Sequence, residues 1–394
     1  MIIGIPKESL TGETRVAILP AEVKKLSSDL LKFKIESGAG NGSFNADEIY
    51  AESGAEIVSD VYSDSDLIIR INPPTEEELS KLNEGTSLIS LLAPFTNHDL
   101  VKQLAANNIS SYCLELIPRS TYAQSMDVLS SQATVGGYRS VLNAASHMGK
   151  FFPMLMTPAG TIKPATVLVI GAGVAGLQAI ATAGRLGAKV EAFDVRPAAR
   201  EQVESLGAKF LYMDLDDSAE ADSGYAVEMN DEFIRKEMEL LHDAAKRVDA
   251  IITTALIFGR PAPILIKDYM VNDMQPGSVI IDLAAENGGN CELTQPGEII
   301  QHNGVTIDGR LNLPAQVPVH ASQMLSKNIS KLLTDIIKDS KLSFDLENEI
   351  IKGCLVTHEG NITHEMTKNI IEGNHWERKC LWSRLIFPYC STMF

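Results

Sequence analysis

ATVLVIGAGVAGLQAIATAGRL, residues 165–186, decides the fold. A short apolar run is followed directly by three glycines in the spacing GxGxxG and then by an alanine-rich run of helical character. This order of strand, glycine turn and helix is that of a dinucleotide-binding βαβ unit, whose helix N-terminus receives the phosphates. Gly171 would permit the tight turn, Gly173 would let the pyrophosphate approach the backbone, and Gly176 would let helix and strand pack closely.

The residues after this turn predict NAD(H) as the ligand. The next apolar run ends at Asp194, 23 residues after Gly171, where a carboxylate accepts hydrogen bonds from the adenosine ribose and repels the 2′-phosphate of NADP(H). Arg196 favours the opposite choice, and we place it beside the adenosine or the diphosphate. Val174 and Val195 complete the predicted cofactor-binding set around the turn. A packing turn without a ligand is the alternative interpretation.

Short apolar runs alternate with helical stretches in two separate series. The first series consists of predicted strands at residues 1–6, 33–37, 66–71, 87–92 and 109–114. The second consists of predicted strands at residues 165–171, 189–194, 208–213, 249–255 and 277–283. Runs this short and this rich in Ile, Leu and Val are typical of buried parallel strands. The fold class is therefore α/β, with two Rossmann-like doubly wound parallel-sheet domains and a cleft between them that holds the cofactor.

The predicted helices help to set the domain boundaries. They cover residues 20–32, 97–108 with Asn97 as its cap, 135–152 and 321–340. The last of these helices carries one apolar stripe and is expected to return to the first domain. We therefore predict a first domain of residues 1–128 plus 312–373, a second domain of residues 129–311, and a C-terminal extension of residues 374–394.

Composition excludes several classes of function. The 394 residues include 34 basic and 51 acidic side chains, and this formal charge of −17 repels nucleic acid and anionic lipid. The five cysteines lack metal-type spacing and are expected to be reduced thiols, so no metal site is predicted. No apolar run reaches the roughly 20 residues that span a bilayer, and the first residues do not resemble a signal peptide. A cytoplasmic protein is expected.

Residues 119–132, RSTYAQSMDVLSSQ, gather an Arg, two Gln, an Asp and several hydroxyls without a His. Oxidation of an alcohol or amine releases a proton, so ordinary dehydrogenases place a His or Lys near the reacting carbon. Hydride transfer between two nicotinamide rings needs no such group. The eight histidines are scattered and form no recognisable catalytic arrangement. A polar interdomain linker that caps the following helix is the alternative interpretation of this segment.

Several long motifs resemble one known family. They are PRSTYAQSMDVLSSQATVGGYR, GAGVAGLQAIATAGRLGA, FDVRP, REQVESLGAKF, ITTALIFGRPAP and GSVIIDLAAENGGNCE. They resemble the NAD(H)-binding component of the proton-translocating NAD(P) transhydrogenase, the N-terminal part of its alpha subunit, in the alanine dehydrogenase/transhydrogenase family. The similarity extends from residue 1 to residue 373 or thereabouts.

The resemblance implies which residues hold the nicotinamide and its ribose. The loop that does so in the family maps onto Arg119, Gln124, Asp127 and Ser130. Arg119 offers fixed donors, Gln124 can hydrogen-bond a ribose hydroxyl or the carboxamide, and Asp127 can hold Arg119 or a hydroxyl in place. These side chains position a ring and move no proton. The family usually has a second Arg where this chain has Tyr122.

The resemblance also implies a mobile loop and a nicotinamide-end lining. Gly224 and Tyr225 would belong to a loop that closes over NAD(H), within the eight acidic residues of the segment 213–232. A solvated acidic insertion is the alternative interpretation of that segment. Ala255 and Leu256 would line the nicotinamide end.

The function implied is that of a Re/Si-specific, proton-translocating NAD(P)⁺ transhydrogenase alpha subunit. Hydride would pass directly from NADH on this chain to NADP⁺ on a partner domain, while a membrane-spanning component translocates the proton. We expect a homodimer, cytoplasmic and peripheral on the cytoplasmic face of the inner membrane through its partner subunits. A truncated subunit and a non-catalytic NAD(H) sensor are the alternatives.

Alanine dehydrogenases are the alternative within the same fold. They begin with a similar pattern, and Arg15 matches their arginine for the substrate carboxylate. Their pyruvate-binding Lys, catalytic His and catalytic Asp fall on Asn72, Ala93 and Glu286. Without the Lys and the His, a 2-oxo acid has neither an electrostatic clamp nor a proton donor. Amino-acid oxidation is therefore not predicted.

Overall fold

A computed structural model describes residues 1–212, 231–257 and 261–373. The chain divides into two compact units, the first made of Met1–Gln132 and the described residues of Ala315–Phe394, the second of Ala133–Pro314. The divisions follow Gln132 and Pro314, where the sequence predicts boundaries after residues 128 and 311. The predicted extension at 374–394 lies outside the described residues.

Nineteen strands are present in the described residues. In chain order they are β1 (Ile2–Ile5), β2 (Lys32–Glu36), β3 (Glu56–Val58), β4 (Leu67–Ile69), β5 (Ser87–Ser90), β6 (Ser110–Cys113), β7 (Leu155–Thr157), β8 (Gly160–Ile162), β9 (Thr166–Ile170), β10 (Lys189–Phe193), β11 (Lys209–Phe210), β12 (Ala250–Thr253), β13 (Val279–Asp282), β14 (Ile299–His302), β15 (Val305–Asp308), β16 (Ile337–Lys338), β17 (Lys341–Leu342), β18 (Leu355–His358) and β19 (Asn361–Ile362).

The same stretches of the chain contain twelve α-helices. They are α1 (Pro20–Leu26), α2 (Asp47–Glu52), α3 (Glu76–Ser80), α4 (His98–Ala106), α5 (Val128–His147), α6 (Val174–Arg185), α7 (Ala199–Ser205), α8 (Asp231–Ala245), α9 (Asp268–Asn272), α10 (Pro318–Ile336), α11 (Glu349–Cys354) and α12 (Glu365–Ile371). Within the described ranges, none of these helices is both long enough and apolar enough to cross a membrane.

The first unit contains an eight-stranded sheet in the order β19-β18-β6-β5-β4-β1-β2-β3. The strands from β6 to β3 are parallel, whereas β18 is antiparallel to both β6 and β19. The chain runs outward from β1 to β3 and then returns to β4 on the other side, which is the doubly wound pattern. Helix α10 covers the core through Leu325, Ile329 and Leu332, which pack with Ile3 and Ile5.

The second unit contains a seven-stranded sheet in the order β11-β10-β9-β12-β13-β15-β14. All its pairs are parallel except β14 with β15. The strand order reverses between β9 and β12, and in such sheets ligands bind at the carboxyl ends of the strands beside this reversal. The prediction of two Rossmann-like α/β sheets is confirmed.

Several predicted helices differ from the observed ones at their ends. The helix predicted at 20–32 ends at Leu26, because Ser27 is extended and Lys32 pairs with β1 as part of β2. The helix predicted at 135–152 runs from Val128 to His147 instead. Asn97 precedes α4 but makes no side-chain cap, so its predicted role was wrong.

Candidate functional site

The turn between β9 and α6 can be built only with glycine at two of its positions. Gly171 has φ +95°, and a Cβ added to it would lie 2.5 Å from the Thr254 hydroxyl. A Cβ on Gly176 would lie 1.8 Å from the carbonyl oxygen of Gly171. Since real carbon atoms do not approach this closely, both residues are fixed by the contact between strand and helix.

Gly173 meets a different requirement. A Cβ added there would have no atom of the described protein within 4 Å. Gly173 immediately precedes α6, so the N–H groups of the first helical turn point toward this open space without partners inside the helix. A pyrophosphate fits here, because it needs close backbone approach, free N–H donors and the positive end of a helix dipole.

Asp194 lies beside the turn and is tied to it. Its Oδ2 accepts a hydrogen bond from the backbone N–H of Ala172 at 2.7 Å, and its Oδ1 accepts one from the backbone N–H of Arg196 at 2.8 Å. The Arg196 guanidinium also donates to both carboxylate oxygens, each at 2.9 Å. Burial alone would raise the pKa of Asp194, but these hydrogen bonds and the arginine charge hold it below its usual value.

Arg196 therefore contacts the predicted ribose-binding carboxylate itself. The sequence places it beside the adenosine or the diphosphate, and the pairing with Asp194 is a contact that the sequence did not predict. Val174 and Val195 flank the turn, and both are exposed.

Two loops that follow β12 and β13 meet near the same edge of this sheet. Ala255 is held from both sides by the buried side chain of Asn290, which accepts from its N–H at 3.0 Å and donates to its carbonyl at 2.8 Å. The buried carboxylate of Asp282 in turn accepts from the backbone N–H of Asn290 at 2.8 Å. Leu256, next to Ala255, has 53% of its surface exposed. The predicted nicotinamide-end residues are thus on a braced but accessible loop.

Three residues around this turn were missed by the sequence analysis. Thr254 donates its hydroxyl to the Gly171 carbonyl at 3.0 Å. Gly137 on α5 is packed so tightly that a Cβ would lie 2.1 Å from the carbonyl of Ala175. Asn290 is the third. Their one sequence signal is position, since Thr254 and Asp282 stand at the ends of predicted parallel strands.

In the first unit, residues 119–132 form a 3₁₀ turn at Ala123–Met126 and then enter α5. Asp127 caps this helix, because its Oδ1 accepts from the backbone N–H of Ser130 at 2.8 Å and its Oδ2 accepts from the Ser130 hydroxyl at 2.6 Å. Of the two predicted partners of Asp127, a hydroxyl or Arg119, the structure shows the hydroxyl.

Arg119 and Gln124 are available for a ligand. Both side chains are exposed, and neither forms a hydrogen bond or ion pair with any described residue. Their backbone is nevertheless ordered by the 3₁₀ turn and by the capped helix that follows. This segment thus presents a guanidinium and an amide as uncommitted hydrogen-bonding groups on a defined backbone.

The position that matches the substrate arginine of alanine dehydrogenases is closed. Arg15 donates through Nε and Nη2 to Glu13, at 2.8 and 2.6 Å, and through Nη1 to Gln132 at 2.8 Å. Burial would raise the pKa of Glu13, but Arg15 and Asn72 donate to it and lower the pKa to about 2. The arginine charge is therefore already neutralised by a buried carboxylate.

The other alanine-dehydrogenase positions also lack a substrate arrangement. Asn72 donates its amide to Glu8 and Glu13, at 3.1 Å each, and Ala93 is exposed with φ +47°. Glu286, in the second unit, accepts from the backbone N–H of Asn312 at 2.8 Å. The predicted loop residues Gly224 and Tyr225 lie outside the described residues.

The two doubly wound sheets and the glycine turn place the chain in the Rossmann-like α/β class. Family models described as "Alanine dehydrogenase/PNT, N-terminal domain" and "Alanine dehydrogenase/PNT, C-terminal domain" match residues 4–136 and 140–365. The chain belongs to this family.

Individual relatives are transhydrogenase subunits. The chain is 46% identical to an NAD(P) transhydrogenase subunit alpha polypeptide of Rhodospirillum rubrum, over 92% of this chain and 98% of that protein. It is 44% identical to the NAD(P) transhydrogenase subunit alpha of Haemophilus influenzae, over 91% of this chain and 71% of that protein. A crystal structure of transhydrogenase from Sinorhizobium meliloti superposes with a TM-score of 0.84 at 41% identity, covering 92% of this chain and all of the other. The predicted resemblance is confirmed.

Proposed function

We propose that this chain binds NAD(H) and presents its nicotinamide for direct hydride transfer to NADP⁺ on a partner domain, as the alpha-subunit component of a Re/Si-specific, proton-translocating transhydrogenase. The observation that carries this proposal is the segment 119–132, which exposes uncommitted hydrogen-bonding groups on Arg119 and Gln124 but contains neither His nor Lys. Such a segment can orient a ring and has no group suited to taking up the proton of an alcohol or amine. Bound NAD(H) supplies the hydride.

The glycine turn supports NAD(H) rather than NADP(H) as the ligand of this chain. Asp194 keeps its negative charge, since its pKa is lowered, and this charge opposes a 2′-phosphate. Arg196 already donates to both oxygens of Asp194 and is thus committed to that carboxylate. NADP(H) is accordingly assigned to the partner.

Replacement of Asp194 by Ala is expected to weaken NADH binding by about 10- to 100-fold, because it removes a charged hydrogen-bond acceptor of the ribose and the anchor of Ala172. Fluorescence titration with NADH measures the change. Glu204→Ala is the matched control, since Glu204 is an exposed carboxylate that pairs with Arg200. Unchanged affinity in Asp194→Ala would refute the ribose assignment.

We also propose that the chain forms a homodimer through the hairpin β7–β8. These two strands pair only with each other among the described strands, and a lone two-stranded hairpin is marginally stable in water. The hairpin and its flanks expose Phe151, Met154, Met156 and Ile162, with Met156 78% exposed. An apolar patch of this kind suits a second copy of the chain.

Met156→Asp is expected to shift the protein to monomers, because a charge in an apolar interface loses its hydration without gaining a partner. Sedimentation velocity measures the shift. Ile299→Asp, on an exposed position of the edge strand β14, is the control and should remain dimeric. If both variants sediment as dimers, the hairpin is not the interface.

Mixing the purified protein with a purified NADP(H)-binding transhydrogenase component tests the proposed activity. NADH should reduce an NADP⁺ analogue only when both proteins are present. Oxidation of alanine by this chain alone would favour the alanine dehydrogenase alternative, and NADH binding without any exchange would favour a sensor. In the assembled enzyme we place the chain on the cytoplasmic face of the inner membrane, held there by the membrane-spanning partner.

A further inference from the structure

Asp335 on α10 joins three segments of the first unit. This carboxylate is buried, with 7% of the residue exposed. Its Oδ1 accepts from the Tyr122 hydroxyl at 2.6 Å, and its Oδ2 accepts from the Asn348 amide at 3.1 Å. The Asn348 Oδ1 caps α11 by accepting from the backbone N–H of Ile350 at 2.8 Å. The segment 119–132 is therefore linked through one carboxylate to two helices.

The hydroxyl of Tyr122 is the portion of that residue that the fold uses. The residue is 66% exposed, so its ring buries little surface. Among the described residues, Asp335 has no Lys, Arg or His within ion-pair distance, so its buried charge depends on neutral donors. The hydrogen bond to Asp335 and the Asp335 charge raise the pKa of Tyr122, which keeps the hydroxyl protonated as a donor.

A second tether joins the same helix to the same segment. Asn328, which is buried, donates its amide to the backbone carbonyl of Ser125 at 2.8 Å. Asn328 and Asp335 are seven residues apart and therefore lie on one face of α10. Tyr122 and Ser125 stand on either side of Gln124 in the sequence. The backbone that carries Gln124 is thus attached to α10 at two points, while the Gln124 side chain is exposed.

We propose that Asp335, acting through Tyr122, and Asn328, acting through Ser125, are positioning residues that set the orientation of Gln124 for the hydride transfer proposed above. The inference rests on that proposed function, in which ring alignment limits the rate. Positioning of this kind affects the rate of transfer more than cofactor affinity, because a displaced ring still binds but reacts slowly.

The test compares Tyr122→Phe, which removes one hydroxyl, with Tyr122→Arg, whose guanidinium can donate to the same carboxylate. Tyr122→Phe should slow hydride exchange with the NADP(H)-binding component by about tenfold and change the NADH Kd by less than about twofold. Tyr122→Arg should restore the rate. Tyr269→Phe, at an exposed tyrosine of α9, is the control and should behave like the wild type.

Hydrogen–deuterium exchange of the backbone at residues 123–127 gives a readout that does not need activity. Tyr122→Phe should speed exchange in this segment, whereas Tyr269→Phe should not. Unchanged protection, an unchanged transfer rate, or equal losses of rate and affinity in Tyr122→Phe would each overturn the positioning role. A wild-type protein that exchanges no hydride would instead refute the proposed function, and the amide-exchange result would still decide whether the tether exists.

Discussion

Gly176→Ala is expected to abolish NADH binding at ordinary concentrations. The new Cβ would lie 1.8 Å from the Gly171 carbonyl oxygen, and both groups belong to backbone that neighbouring strands hold in place. The turn must open to relieve this overlap, at about 3 kcal/mol or more, which corresponds to a loss of about 100-fold or more in affinity. Isothermal titration with NADH measures the loss, and thermal unfolding shows whether the second unit is also destabilised.

Two further glycines separate packing from ligand contact. Gly184, in the same helix, has open space around its Cα, so Gly184→Ala should leave NADH affinity unchanged and stabilise α6 by about 0.5–1 kcal/mol. Gly173→Ala should keep the wild-type melting temperature but lose affinity, because its methyl group would occupy space assigned to the pyrophosphate. Wild-type affinity in Gly176→Ala would show that the turn does not carry the cofactor.

Arg119→Ala and Gln124→Ala are expected to slow hydride exchange by about 100-fold, since a shift of the ring by about 1 Å costs this much in rate. The NADH Kd should change by no more than about threefold, because most of the dinucleotide is held by other residues. Single-turnover stopped-flow measurements with the NADP(H)-binding component separate the two quantities. Arg185→Ala, at an exposed arginine in the last turn of α6, is the matched control. Parallel losses of rate and affinity would argue against a positioning role.

The sequence predicted those features that depend on local spacing. The strand, turn and helix at 165–186 were recognisable because each glycine answers a local requirement, and Asp194 followed from its distance to the turn. The β-strands of both sheets were found for a similar reason, since buried parallel strands are short apolar runs. The antiparallel strands β18 and β19 were not predicted, because little in their residues distinguishes an edge strand from a loop.

Features that depend on distant residues were not predictable in the same way. Tyr122 and Asp335 are 213 positions apart, and Asn290 reaches Ala255 across 35, so no local pattern indicates either contact. The overlong helix predicted at 20–32 has the same origin. Its periodicity continues to Lys32, but pairing of Lys32 with Ile2 in the sheet decides the outcome. Tertiary pairing overrides helical propensity there.

Transfer of deuterium tests the central claim most directly. NADH labelled with deuterium at the transferred C4 position would be mixed with this protein and with NADP⁺ on the partner domain, in ordinary water. The account predicts that the NADPH formed carries the label in full and takes no hydrogen from solvent at that carbon. NADPH without the label, or NADH oxidation that proceeds when no NADP⁺ is present, would contradict it.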